Sequence, residues 1–340
     1  MIEMSSNPVV VRLLAVWALA LCSVASAQPT YRIEPIGIPD LTQARAINNQ
    51  GAIVGDLSAA DEQAILLTED GRVRKLSRKA GETFGKAVNA SNLVIYDALV
   101  GSDSHAGLWD AASGHFRELG TLGGAKSSAL DLNDAGRVVG SASLPDGRLH
   151  AFLSDGTKMR DLGTLGGRNS SASGINEHDQ IAGTSQRADG SSHAFVEQDG
   201  RMTDLGDLGG GSSTGLDINA LGHVTGTSSP SGRKDHDHAF LWDGDRMIDL
   251  GTLGGKSSDG WALNRFDEVV GISRLANEED AVAYLYTGGV MYKLMDLLDA
   301  SGKDWSFLIT AYDINDDGDI VGLGVFQGRQ RSYRARRVSN

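Results

Sequence analysis

The stretch Leu119-Gly-Thr-Leu-Gly-Gly124 decides the fold, because the chain repeats it. Copies recur at intervals of 43, 43 and 45 residues, and weaker copies keep the same order: 162–167, 205–210, 250–255, and from Ile36, Leu76 and Leu294. An apolar-Asn turn and a His-Ala-Phe triplet, or a variant of it, accompany every copy. Periods of about 40 to 50 residues are typical of propellers and solenoids. The sequence therefore predicts seven copies of one unit of about 45 residues.

Each unit contains four short segments rich in Val, Ile, Leu, Phe or Trp and bounded by Gly, Asp, Asn or Ser, which is the pattern of β-strands. In the fifth copy the predicted strands are Met202–Leu205, Thr214–Asn219, His223–Thr227 and His238–Trp242. A dipeptide such as Asp155-Gly156, which tolerates the positive φ of a tight hairpin, joins each His-Ala-Phe strand to the next strand. Neighbouring units are therefore linked through hairpins.

The two terminal strands have no hairpin partner. Tyr31–Ile36 has no strand before it, and Tyr333–Val338 has none after it. Pairing these strands would close a ring and leave no open end. We therefore predict an all-β, seven-bladed β-propeller with four-stranded blades, closed by its N- and C-terminal strands, as a single domain over residues 28–340. A stacked β-solenoid is the alternative, but solenoid coils are usually shorter and need capping repeats.

Residues 1–27 have the pattern of a secretory signal peptide. The apolar run 13–22 follows Arg12 and precedes a small-residue cleavage site that ends at Ala27. The only cysteine, Cys22, would leave with this leader, so the mature chain would contain no disulfide. Lipid attachment would need a small residue where Leu21 stands. We expect an exported monomer, periplasmic or extracellular, that does not insert into a membrane after cleavage.

The composition excludes several classes of protein. With 31 Lys and Arg against 44 Asp and Glu, the net charge of −13 disfavours a general nucleic-acid binder, whose affinity needs a basic surface. The 44 glycines and 6 prolines fit neither collagen nor a proline-rich linker. With 40% apolar residues the chain can bury a sizeable core. We expect a folded protein with no nucleic-acid partner.

The repeated motifs resemble those of a known family. His-Ala-Phe-Leu-Trp at 238–242, Met-Ile-Asp-Leu-Gly-Thr-Leu-Gly-Gly at 247–255 and Ile175-Asn176 are similar to the HAF-repeat family of bacterial extracellular proteins. The resemblance covers almost the whole mature chain, is specific in the central four units, and fades in the second and seventh. It implies an exported repeat protein, generally without an assigned activity, and it supplies no catalytic residues.

One segment resembles the start of a calcium loop, with oxygen-bearing side chains at alternate positions: Asp313, Asn315, Asp317 and Asp319. Gly324 stands where a calcium loop has its bidentate carboxylate. The segment also coincides with the Asn turn that every unit contains. A structural turn is therefore the favoured interpretation, calcium is the alternative, and no other cofactor is expected.

Two further patterns repeat at equivalent positions and so indicate scaffold rather than chemistry. The histidines at 105, 150, 193 and 238 recur once per unit, and each is expected to satisfy a neighbouring backbone group rather than to join a metal site. The Gly-x-Ser-x-Gly pattern at 211–215 resembles a hydrolase nucleophile. Its serines recur at the same place in neighbouring units, which indicates loop residues.

Positions that differ among the copies are free to serve function. Three residues before each Asn the seven copies are heterogeneous, and the longest connection, 228–237, adds charged residues. If the Asn-bearing strand is innermost, the long loops share one face of the ring. We predict a ligand-binding rim there, formed by Arg45, Lys86, Trp261, Tyr312, Arg233, Lys234 and His236. The alternative is that the aromatic rings fill gaps between blades and that the charged loop is solvated.

Two functions remain open, because a propeller can host either. The first is an exported, non-catalytic scaffold that binds a polysaccharide, peptide or surface partner. The alternative is a propeller-type lyase or hydrolase that acts on an exported polymer, and convergence of acid, base or cationic groups at the axis would favour it. The sequence shows no cluster of carboxylates or histidines that breaks the repeat, which favours binding. Replacing Arg45, Lys86 and Trp261 together is expected to abolish binding with little effect on thermal stability.

Overall fold

The computed structural model describes residues 28–38, 41–57, 63–76, 83–232, 236–277 and 280–339. The predicted leader, together with Arg233 and Lys234 of the predicted rim, lies outside the described residues. Within them, 28 strands form seven four-stranded antiparallel sheets. The first strands of neighbouring sheets contact one another all the way around, which makes them the innermost strands of a seven-bladed β-propeller.

The strands follow the chain around the ring, except that β1 (Thr30–Pro35) belongs to the last blade. From the innermost strand outward, blades 1 to 3 are β2–β5 (Leu41–Ile47, Ile53–Leu57, Gln63–Leu67, Val73–Lys75), β6–β9 (Thr83–Val88, Leu93–Val100, Asp103–Asp110, Phe116–Glu118) and β10–β13 (Ser127–Leu132, Val138–Ser143, Leu149–Ser154, Met159–Gly163). Blades 4 to 6 are β14–β17 (Gly166–Ile175, Ile181–Arg187, Ser192–Gln198, Arg201–Asp204), β18–β21 (Gly209–Ile218, Val224–Pro230, His238–Trp242, Met247–Asp249) and β22–β25 (Gly254–Leu263, Val269–Leu275, Ala281–Thr287, Val290–Lys293). Blade 7 consists of β26–β28 (Trp305–Ile314, Ile320–Phe326, Arg329–Ser339) and β1.

The two ends of the chain close the ring, as predicted. Strand β1 pairs antiparallel with β28, with Thr30 opposite Ser339 and Pro35 opposite Tyr333. The solenoid alternative is therefore wrong. Two short 3-10 turns, Leu294–Leu297 and Ala300–Asp304, lead from blade 6 to blade 7, and this segment bonds to the outer edge of β1 through the Asp299 amide and the Tyr31 carbonyl, 2.8 Å apart. Covering the edge protects a strand that would otherwise be open to pairing.

Seven asparagines join the blades in a closed circle of hydrogen bonds. Each inner strand ends at a buried Asn whose Nδ2 donates to the main-chain carbonyl of the Asn in the next blade, over 2.8 to 3.3 Å. The last of them, Asn315, donates back to Asn48. The Oδ1 atom of Asn48 accepts the amides of Gln50 and Ala52 in its own turn. In each of the other six turns the Asn Oδ1 likewise accepts the amide four residues on. One side chain thus fixes a turn and links two blades.

The core lies between the blades. One cluster packs Val139, Ala151 and Leu153 of blade 3 against residues of blade 4 that include the fully buried Phe195. The Val-Gly and Ala-Gly pairs of the second strands follow from the close approach of the two inner strands within each blade. A Cβ at Gly183 would overlap the Ser171 carbonyl oxygen, so only glycine lets the inner two strands approach.

The alternating strand directions give the ring two faces. We call the face with the Asn turns and the Asp-Gly hairpins the turn face, and the face with the Leu-Gly-Thr-Leu-Gly-Gly loops the loop face. Inner strands run from the loop face to the turn face, so the circle of asparagines lies at the turn-face mouth of the central channel. No helix among the described residues is long and apolar enough to cross a membrane.

Breaking one link of the asparagine circle should destabilise the whole ring. In Asn176→Asp the Nδ2 donor is lost, and a charge replaces it beside the Asn219 carbonyl and the Gln180 Oε1 atom. We expect the free energy of unfolding to fall by about 2–4 kcal/mol, measured by urea denaturation. Gln330→Glu, the same change from amide to carboxylate at an exposed position, is the control and should change it by less than about 0.5 kcal/mol. Equal effects for the two variants would contradict this role.

Candidate functional site

Every inner strand has a bulge at the residue three positions before its Asn. The register of each inner strand against its neighbour slips at these residues: Arg45, Lys86, Leu130, Ser173, Leu216, Trp261 and Tyr312. The residue just before each bulge is buried, whereas six bulge residues are half-buried and Trp261 is 41% exposed. A bulge leaves its extra residue unpaired and re-aims the side chain. These seven side chains therefore line the central channel.

The channel has two unlike walls. Trp261, Tyr312, Arg45 and Lys86 stand on four consecutive blades, 6, 7, 1 and 2, whose inner strands contact one another in that order. We call these four residues the binding arc. The opposite wall, on blades 3, 4 and 5, presents Leu130, Ser173 and Leu216. The structure thus brings together four of the seven predicted rim residues, in the channel rather than on the rim.

A second layer of side chains lies two residues nearer the loop face. On the blades of the arc this layer includes Gln43, Phe84 and Asp259, all half-buried. The Gln43 Nε2 atom donates to the Tyr312 hydroxyl over 2.9 Å, and burial raises the pKa of Tyr312, so the phenol stays neutral. These three residues were not predicted from the sequence as part of a site. The residue five positions before each Asn also varies among the copies, and this variation is the signal that could have identified them.

The two cations of the arc are neutralised within their own blades. Arg45 Nε lies 2.5 Å from Asp56 Oδ2, and Lys86 Nζ lies 3.7 Å from Asp97 Oδ2, with both carboxylates buried. The arc therefore offers donors and acceptors without a net charge. Removing both cations would leave two buried carboxylates unpaired, which is costly. The expectation that the triple replacement spares stability therefore needs revision, and Trp261 is the better single target.

Asp259 differs from the other carboxylates of the channel region. No residue that the structure describes donates a hydrogen bond to its side-chain carboxylate, although its main chain pairs within the blade. Burial raises its pKa, the nearby charge of Asp237 adds to that effect, and Arg274 opposes it. A carboxyl with a raised pKa at the wall of a cavity is suited to proton transfer.

His236, the remaining described residue of the predicted rim, lies at the loop-face end of blade 5, in the connection that contacts blade 6. Its neighbour Asp237 accepts the Ser258 amide over 2.9 Å at the inner strand that carries Asp259 and Trp261. The side chain of His236 is half-buried. It is therefore near the mouth of the channel but outside the binding arc.

Three aspartates lie two residues before their Asn, on blades 3, 5 and 7. Each carboxylate accepts the next amide of its own strand and an amide of the following blade: Asp131 bonds Leu132 and Ile175, Asp217 bonds Ile218 and Leu263, and Asp313 bonds Ile314 and Ile47, all over 2.7 to 2.9 Å. Burial raises the pKa of Asp217 to about 7 and that of Asp313 to about 6. Burial raises that of Asp131 as well, and repulsion from Asp217 adds to it. These carboxyls fasten blades together.

In the segment weighed as a turn or a calcium loop, the side chains of Asp313, Asn315 and Asp319 are bonded within the protein. Asn315 Oδ1 accepts the amides of Asp317 and Asp319, and the Asp319 carboxylate binds Arg334 at 2.6 Å. In the described part of the chain, no three His, Cys, Asp or Glu side chains are placed to hold a metal ion. This geometry favours the structural turn over the calcium alternative.

The repeated histidines and serines belong to the scaffold. The Nδ1 atom of His193 bonds the Asp204 carboxylate of the outer strand over 2.7 Å, and two other copies do the same: His150 with Asp161 and His238 with Asp249. The partner is thus a carboxylate rather than the expected backbone group. Ser213 Oγ accepts the Ala194 amide of the preceding blade over 2.9 Å, as expected of a loop residue with a packing role.

Comparison with solved structures shows the fold alone. The β-propeller domain of the Trilobed protease from Pyrococcus furiosus, described as having an open velcro topology, matches 92% of this chain over 98% of its own, at 9% identity and a TM-score of 0.57. A Mycobacterium tuberculosis puromycin-hydrolyzing peptidase matches 89% of this chain at 12% identity and a TM-score of 0.57, and the match spans 56% of that protein's length. A putative TolB from Agrobacterium tumefaciens matches 79% of this chain over 95% of its own length, at 13% identity and a TM-score of 0.51. No family model and no curated protein matches the sequence.

The raised pKa of Asp217 predicts how stability depends on pH. The ordinary value for Asp is 3.8 and the folded value is about 7, so the folded chain holds this proton more tightly. The stabilisation is complete below about pH 4 and is lost as the pH rises through about 7. We expect the free energy of unfolding to fall over that range, and to fall less steeply in Asp217→Asn. Urea denaturation at a series of pH values measures both slopes, and identical slopes would contradict the assignment.

Proposed function

We propose that the protein is an exported, non-catalytic scaffold that binds a neutral segment of a polysaccharide in its central channel. The observation that carries the proposal is the binding arc, in which an exposed tryptophan, a neutral tyrosine and two ion-paired cations stand on consecutive blades. The opposite wall is apolar or small, so one side of the channel is specialised.

The chemistry of the arc suits sugar rings. A pyranose has apolar C–H faces, which pack on aromatic rings such as those of Trp261 and Phe84, and a rim of hydroxyls that both donate and accept hydrogen bonds. Gln43 and Tyr312 can do both as well. Because Arg45 and Lys86 are already paired, a strongly anionic polymer would have to displace Asp56 or Asp97. A neutral polysaccharide is therefore favoured over an anionic polymer, and a peptide is the other outcome of the test.

Export rests on the sequence. The leader pattern of residues 1–27 and the HAF-repeat resemblance both support secretion to the periplasm or the medium. A ring closed within one chain needs no second copy, which supports a monomeric scaffold. Cell fractionation of the full-length protein and gel filtration of the mature chain test these two points.

Trp261 should dominate polysaccharide binding. In Trp261→Ala we expect the affinity for a neutral hexasaccharide found by glycan array to fall about tenfold or more, which corresponds to about 1.4 kcal/mol, because an aromatic stacking surface is lost. Isothermal titration calorimetry measures the change.

Leu216→Ala provides the matched control, because it alters the same bulge position on the opposite wall. We expect less than about a twofold change in affinity there. Equal losses in the two variants, or undiminished binding in Trp261→Ala, would contradict the assignment of the arc. Preferential binding of capped peptides would replace the polysaccharide with a peptide ligand.

A second function is favoured by one observation, the unbonded Asp259 carboxyl with its raised pKa. In a hydrolase acting on an exported polymer, this group would donate its proton to the leaving oxygen while water adds to the carbon that the oxygen leaves. In a lyase it would protonate the leaving oxygen while a base removes a proton from the adjacent carbon. In either case the ion-paired Lys86 or Arg45 would contact the substrate. Asp131, Asp217 and Asp313 are less suited to this role, because both carboxylate oxygens of each accept main-chain amides.

Catalysis would depend on Asp259. If a hydrolysis and lyase screen on neutral polysaccharides detects turnover, Asp259→Asn should lower kcat by about 100-fold or more while the affinity changes little. Asp131→Asn serves as the comparison, since it removes a raised-pKa carboxyl that fastens blades. Turnover that survives in Asp259→Asn would exclude this residue as the acid, and binding without any turnover would leave the scaffold as the function.

A further inference from the structure

The turn face contains a cleft between blades 4 and 5 with a volume of about 590 Å³. It is the largest of three clefts between blades described on that face, and its size is within the range of about 300–1,000 Å³ typical of ligand sites. It is lined by side chains of both blades, among them Gln180, Gln198, Arg201, Thr203, Leu221 and Trp242. None of them belongs to the binding arc.

Two amide side chains in the cleft are held in a fixed orientation. Gln180 Oε1 accepts the Nδ2 of Asn176, a member of the asparagine circle, over 2.8 Å. Gln180 Nε2 then donates to Gln198 Oε1 over 3.2 Å, which leaves the Gln198 amino group directed away from that bond. A Cβ on Gly222 would lie 2.8 Å from Gln180 Oε1, so glycine makes room for the amide. The polar groups are therefore preorganised.

The equivalent cleft between blades 2 and 3 lacks the hydrogen-bonded glutamine pair. Leu93, four residues after its Asn, stands where blade 4 has Gln180, and it pairs with Asp110 rather than with a glutamine. Ala135 stands where blade 5 has Leu221, which is 61% exposed. Clefts between blades thus occur at more than one place on the ring, whereas the glutamine pair and the exposed Leu221 belong to the cleft between blades 4 and 5.

The lining predicts the class of ligand. Val196, Trp242 and Leu221 form an apolar surface, and the Gln198 amide and the Thr203 hydroxyl supply groups that both donate and accept. One cation, Arg201, and one anion, Asp199, leave the lining without net charge. An apolar surface beside uncharged hydrogen-bonding groups fits the apolar face and the hydroxyl rim of a sugar ring.

We infer that this cleft is a second binding site for a neutral sugar residue, so that one molecule holds a polysaccharide both in the channel and in a cleft of the turn face. The inference rests on the proposed function for the class of ligand, but it uses different residues, outside the channel. A long polymer engaged at both sites would bind more tightly than a short oligosaccharide, because the second contact is intramolecular.

The two sites can be separated by variants. We use cellohexaose, maltohexaose, xylohexaose and mannohexaose as probes of the mature protein, and measure stoichiometry by isothermal titration calorimetry. For the hexasaccharide that binds, the wild-type chain should show two sites per molecule. The double variant Gln198→Leu with Arg201→Ala should show one, and so should Trp261→Ala. Gln198 and Arg201 are exposed, so unchanged thermal melting is expected of the double variant.

Arg117→Ala is the matched control, because it changes an exposed arginine in the cleft between blades 2 and 3. It should retain two sites. If the double variant binds as the wild type does while Trp261→Ala loses all binding, the cleft inference is overturned and the proposed function stands. If only the double variant loses binding, the cleft is the site and the channel proposal fails. If no probe binds the wild-type chain, both are overturned.

Discussion

The structure depends on a circle of seven asparagine side chains, each of which fixes its own turn and donates to the next blade. A propeller of separate sheets has few covalent links between blades, and this chain has no cysteine beyond its predicted leader with which to add disulfides. Buried hydrogen bonds between blades therefore stabilise the ring at every repeat, because losing one leaves a donor or acceptor unpaired in the core. Pairing of β1 with β28 completes the circle, since it places blade 7 beside blade 1.

The bulge beside each Asn separates scaffold from function. It interrupts the ladder at one residue and turns one side chain per blade into the channel, while the residue before it stays buried. Arg45 and Leu216 occupy the same backbone geometry with unlike chemistry, so the ring can change its lining without changing its fold. Asp131, Asp217 and Asp313, next to the bulges, are less free to change, because each carboxylate accepts an amide of the following blade.

Repetition made most of the fold predictable from sequence. The seven units and the closure by the terminal strands follow from spacing and turn chemistry. The inner position of the Asn-bearing strand was an assumption of the sequence analysis, and the structure supplies it. Boundaries were less accurate: the strand predicted at Thr214–Asn219 runs over Gly209–Ile218, because the glycines before it pair as well. Four residues of the candidate site were predicted because they vary at one register, but the bulge was not foreseen, so they were placed on the rim. The carboxylate partners of the histidines and the salt bridges of Arg45 and Lys86 depend on pairing across strands, which one sequence does not specify.

The central claim is that the asparagine circle is continuous through the junction of the chain ends. Hydrogen exchange of the Asn side-chain amides of the mature protein tests it most directly, because their Nδ2 protons make the bonds between blades. The account predicts that the Nδ2 protons of Asn315 and Asn48 are protected as strongly as those of Asn176, since all three donate the same bond to the next blade. Exchange at Asn315 as fast as in an exposed Asn side chain, with Asn176 protected, would contradict it.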